Sequence, residues 1–124
     1  MKDKNFSIRI SSDSGELEFF KGRAELTGDT LRLKYTDGQS VFLLGLDNNK
    51  LTIRKSGAVN YLLILNPEGD SGFHLESADG ELDMAIRVIG VSHKISESKI
   101  NISAEYYLES ERVGFSITGE ELTE

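Results

Sequence analysis

The chain has 124 residues, no cysteine and a formal net charge of −7. A chain of this length can bury a core without staples, so one domain over residues 1–124 is expected. The acidic balance argues against a nucleic-acid partner, which needs a basic face. No run is apolar enough to form a membrane-spanning helix, and without cysteine there is no disulfide framework and no thiolate chemistry. The start Met1-Lys2-Asp3-Lys4-Asn5-Phe6 lacks the apolar run of a signal peptide. A cytoplasmic setting is therefore the natural expectation.

Strict every-other-residue alternation recurs along the chain, and successive strand side chains point to opposite faces. Phe6, Ile8 and Ile10 alternate with Ser7, Arg9 and Ser11 in a first strand. Leu17 and Phe19 open a second that runs through Gly22 and Ala24 to Leu26, and Phe19-Phe20 with a mid-strand glycine predicts a bulge or sharp bend. Thr27-Gly28-Asp29 turns into a third strand with Leu31, Leu33 and Tyr35, and Asp37-Gly38 is a hairpin signal.

Residues 41–46 and 59–65 are apolar on both faces, and the Leu51/Ile53 strand lies between them. Pro67 sits in a turn-rich loop where it harms no ladder. Phe73 and Leu75 follow. A long run then carries Leu82, Met84, Ile86 and Val88 on one face, with a phase change that predicts a bulge near Val88-Ile89-Gly90. Ile100, Ile102, Ala104, Tyr106 and Leu108 form the clearest strand, and Val113, Phe115 and Ile117 close the chain. Residues 92–98 have room for one helical turn at most.

Short connections favour up-and-down order, and a long meander avoids exposed edges only by closing on itself. The expectation is an all-β antiparallel meander β-barrel of about eight to ten strands, with a sandwich as second choice. Its interior set includes Ile8, Ile10, Leu33, Ile53, Met84, Ile86, Ile102 and Phe115. Charge is uneven along the chain: 10 Lys and Arg face 8 Asp and Glu through residue 65, and 4 face 13 afterwards. One arc of a closed wall is then strongly acidic, either as a solubilising surface or as a docking face for a basic partner.

Thr52-Ile53-Arg54-Lys55-Ser56-Gly57-Ala58-Val59-Asn60, with the apolar strand after it, resembles the YwiB-like family of small uncharacterised bacterial proteins. The order of Gly22, Tyr35, Gly80 and the Tyr106-to-Leu108 stretch is similar as well. The resemblance implies a calycin-like (lipocalin-like) β-barrel. It does not imply an activity. The lipocalin Gly-x-Trp signature and the Arg-x-Tyr pair of fatty-acid-binding proteins are both missing from this sequence.

His74, beside Phe73 and Leu75, should point away from the core, and His93 sits near the end of a long strand. They could ligate a metal only if the fold joined them with a carboxylate, so no metal, cofactor or catalytic constellation is expected. Asn66, Glu68, Asp70 and Ser71 offer oxygens at a spacing that does not fit a Ca²⁺ loop. Arg54 and Tyr61 are the candidate polar anchors of a ligand, with Gly57 letting the backbone approach closely. Arg54 also has a plain reading as the surface partner of an acidic residue. Phe42, Leu44, Leu62 and Ile64 are the candidate outward face of a homodimer.

The functional expectation is a non-enzymatic binding barrel for a small apolar or amphipathic ligand. The alternative is a protein–protein interaction module using the apolar strands or the acidic surface. A void or a packed interior discriminates between them.

Overall fold

The period-two alternation becomes strands throughout residues 4–28 and 30–122, the part of the chain that the computed structural model describes. In chain order they are β1 (Lys4–Ser12), β2 (Leu17–Thr27), β3 (Thr30–Thr36), β4 (Val41–Asp47) and β5 (Lys50–Ser56). β6 (Asn60–Leu65), β7 (Gly72–Ser77), β8 (Gly80–Ile95), β9 (Lys99–Leu108) and β10 (Glu111–Glu121) follow. Each strand pairs antiparallel with its sequence neighbour, and β1 pairs with β10 to close the barrel. In that closing ladder Phe6 lies opposite Glu121, Ile8 opposite Gly119 and Ile10 opposite Ile117. Closure leaves no terminal strand as an edge.

The turns follow local chemistry. Asp37 Oδ1 accepts the Gln39 and Ser40 amides at 2.9 and 2.7 Å, while Gly38 takes a φ of 93°, open to glycine and disfavoured for side-chain-bearing residues. Asn66 and Ser71 cap the loop that holds Pro67. Asp29, part of the expected turn after β2, lies outside the described residues.

The bulge near Val88-Ile89-Gly90 is present as a register shift between Val88 and Gly90. The irregularity expected at Gly22 is not, because β2 pairs with β1 in unbroken register. Gly22 answers to crowding instead. A Cβ there would lie 2.5 Å from the Lys34 carbonyl oxygen and 2.6 Å from Ile8 Cδ1. The helical turn allowed for 92–98 is absent, since β8 runs on to Ile95.

Inward side chains pack unevenly along the barrel. The end bearing the β4–β5 and β6–β7 turns is filled by Leu31, Leu46, Leu51, Leu65 and Ile100, all 2% exposed or less. Each buried side chain of this kind contributes about 1.5–3 kcal/mol. At the other end Ile10, Phe20, Phe42 and Phe115 are only partly buried. No residue of β7 or β8 is fully buried. The cause is the way β8 changes partners: residues 80–85 pair with β7, and residues 86–95 pair with β9. No β8 residue has ladder partners on both sides, so Met84 and Ile86, expected inside, face inward and stay partly exposed.

Two substitutions test this packing. Leu65→Ala should cost about 2–5 kcal/mol, and Gly22→Ala about 1–3 kcal/mol by overpacking, both read as a lower urea midpoint. A Gly22→Ala midpoint equal to wild type would remove the close-approach explanation.

Candidate functional site

The loosely filled end of the barrel is the candidate site. Inward alternation on β3, β6 and β9 delivers Tyr35, Tyr61 and Tyr106 to one cavity of about 200 Å³. Phe20, Phe42 and Phe115 complete its aromatic lining, and Glu18 stands among the lining residues. Tyr35 stacks on Phe42 with centroids 4.8 Å apart and planes 9° from parallel, Phe20 tilts against Tyr35 at 4.9 Å, and Tyr106 meets Phe115 edge-on at 6.4 Å. Offset and edge-to-face pairs of this kind hold rings rigidly.

The three tyrosyl hydroxyls make no hydrogen bond to any described residue, although Tyr35 and Tyr106 are only 4% and 7% exposed as whole residues. Burial raises all three phenol pKa values, and the Glu18 carboxylate raises those of Tyr35 and Tyr61 further. They remain neutral phenols near neutral pH, able both to donate and to accept.

The expected anchors divide between the two sides of the wall. Tyr61 lines the cavity, as its proposed role requires. Arg54 does not face it. Leu51 and Ile53 point inward, so Lys55 follows them and Arg54 lies on the outer face, exposed and opposite Leu62. Lys55 is the residue paired with Tyr61, and its ammonium sits 5.8 Å from the Phe42 ring centroid and 6.0 Å from that of Tyr61. Gly57 supports the rim: its amide donates to Asn60 Oδ1 at 2.9 Å, and a Cβ would come within 2.6 Å of Ser40 Oγ. The closeness expected of Gly57 is thus spent on a neighbouring turn. Sequence reasoning missed Glu18 and Lys55, although period-two parity from Phe20 and Ile53 places both inside.

The expected dimer face divides likewise. Leu62 and Ile64 point outward and are half-buried. Phe42 and Leu44 point inward, Leu44 being 2% exposed, and the exposed large apolar residue on the outer face of β4 is Leu43 at 45%. A run apolar on both faces does not reveal its own phase; the neighbouring register does.

His74 points outward as expected, but among acids. Its Nδ1 lies 2.6 Å from Asp83 Oδ1, and its Nε2 lies 3.1 Å from Glu76 Oε1 and 3.4 Å from Glu81 Oε1. His74, Glu76 and Glu81 could together offer ligand atoms to a cation. The geometry equally suits an imidazolium donating both N–H groups. His93 is not brought to this cluster; it lies toward the packed end of β8, opposite Ile102.

A family model described as a domain of unknown function (DUF1934) matches residues 4–118. The chain belongs to this family. The DUF1934 chain also shares its fold with the crystal structure of the ywiB protein from Bacillus subtilis, at a TM-score of 0.80 and 19% identity. That similarity covers 98% of this chain and 94% of the other. No curated protein matches the DUF1934 chain. The fold match agrees with the calycin-like barrel that the sequence resemblance implies.

Hydrogen bonds donated by His74 to Asp83 and then to Glu76 hold its pKa above the usual 6.5. A raised folded pKa stabilises the fold below the unfolded value, and the effect is lost as pH rises through the folded one. NMR titration should show His74 losing its proton above pH 6.5, and Asp83→Asn should move its midpoint down. An unmoved midpoint would exclude Asp83 as the main cause.

Proposed function

We propose that this protein is a non-enzymatic binding barrel that takes one end of a small amphipathic molecule into its aromatic mouth. The observation that carries the reading is the set of three tyrosyl hydroxyls, free of hydrogen-bond partners among the described residues, around a cavity of about 200 Å³. None of the three hydroxyl oxygens is shut off from the cavity, so each can meet a ligand's polar group there. The opposite end of the same barrel is filled by Leu and Ile, so this end departs from a pattern the chain follows elsewhere.

The cavity is smaller than the roughly 300–1,000 Å³ usual for drug-sized ligands. It therefore encloses only part of the molecule. The remainder lies toward β7 and β8, where Leu75 and Met84 are half-exposed and Leu82 is 46% exposed on the inner face.

The test is saturable binding of a neutral apolar fluorescent probe, with native mass spectrometry of protein purified from cells. Wild type should bind. Tyr61→Asp should weaken binding about tenfold or more by placing a charge in the cavity, while Arg54→Ala on the outer wall should leave it unchanged. No saturable binding and no co-purified small molecule would end the proposal.

A second surface is supported by the outward strip of Leu43, Leu62 and Ile64 around Arg54. We infer that two copies of the chain pack through it, because burying such side chains contributes about 1.5–3 kcal/mol each before association costs. Light scattering should then report twice the 13.8 kDa chain mass, and Leu62→Asp should give monomers. A wild-type monomer at high concentration would overturn it.

A further inference from the structure

Resting on the mouth as the binding site, we propose that its ligand is a small organic cation, an ammonium or quaternary ammonium group seated on the aromatic faces with Glu18 as its counter-charge. The rings present the electron-rich faces that attract such a group within about 6 Å. Lys55 already shows the preference, since its ammonium lies 5.8 and 6.0 Å from the Phe42 and Tyr61 centroids. The chain's own cation thus marks where a ligand's would sit, and its long flexible stem lets it yield that place.

Charge around the opening points the same way. The connections at this end carry Asp13, Glu16, Asp37, Asp79 and Glu109, and Glu18 stands on the inner face below them. Lys55 is the cation on the inner face at this end among the described residues. A ring of carboxylates draws cations inward and repels a carboxylate ligand. The tyrosines fit as well, because neutral phenol oxygens accept from a protonated amine. The cavity's size suits a head group of a few heavy atoms, with an apolar remainder along Leu75 and Met84.

The experiment is isothermal titration of the full chain with hexyltrimethylammonium, hexanoate and hexanol, which share a tail and differ in head charge. The cation should bind saturably and roughly tenfold more tightly than the other two. Glu18→Gln, at an exposed position, should weaken the cation alone, and Lys55→Met should tighten it. Hexanoate binding as tightly as the cation, or cation binding indifferent to Glu18→Gln, overturns the inference. Equal binding of hexanol and the cation overturns it too, while the binding-barrel reading stands. Binding of none of the three overturns both.

Discussion

The ladder between β1 and β10 is the constraint on which the rest of the molecule depends. Ten hairpin-joined strands could equally stack as two open sheets, each with two bare edges. Pairing Phe6 with Glu121 and Ile10 with Ile117 removes that choice and turns one set of alternate side chains into an enclosed interior. An ion pair at the seam, Lys4 Nζ to Glu121 Oε1 at 2.8 Å, joins the first strand to the last. Both groups are partly exposed, so the pair registers the strands more than it stabilises them.

Once the interior is enclosed, what fills it decides what the protein can do. Aliphatic side chains fill one end and bury it almost completely. The other end can then carry aromatic rings, hydroxyls and a carboxylate that packing alone would not select. Close aliphatic packing and the aromatic cavity occupy different halves of the same ten strands.

The alternation made the fold legible: β1, β3, β9 and β10 each turn inward the residues that their sequence parity names. The site was less legible, for two physical reasons. On β5, Leu51 and Ile53 already placed Lys55 inside and Arg54 outside, but the stronger hydrogen-bonding repertoire of arginine drew attention to the wrong side of the wall. On β4 no such parity existed, because 41–46 is apolar on both faces. Only its pairing with β3, Leu44 opposite Leu33 and Phe42 opposite Tyr35, shows which side is the core. The cavity depends on how closely six rings from different strands approach, and no local pattern encodes that.

The partner exchange along β8 has a consequence for self-association. A barrel is expected to hide every peptide group of its wall, yet residues 86–95 carry a ladder on one flank only. That flank is a template on which a strand from another molecule could add, the opening step of fibril growth. Two features of the sequence blunt it. The bulge at Val88 and Gly90 breaks the even spacing that an incoming strand would need, and Lys94 places a charge beside the remaining run. What reads as an irregularity in the longest strand blunts a flank of the wall that closure does not cover.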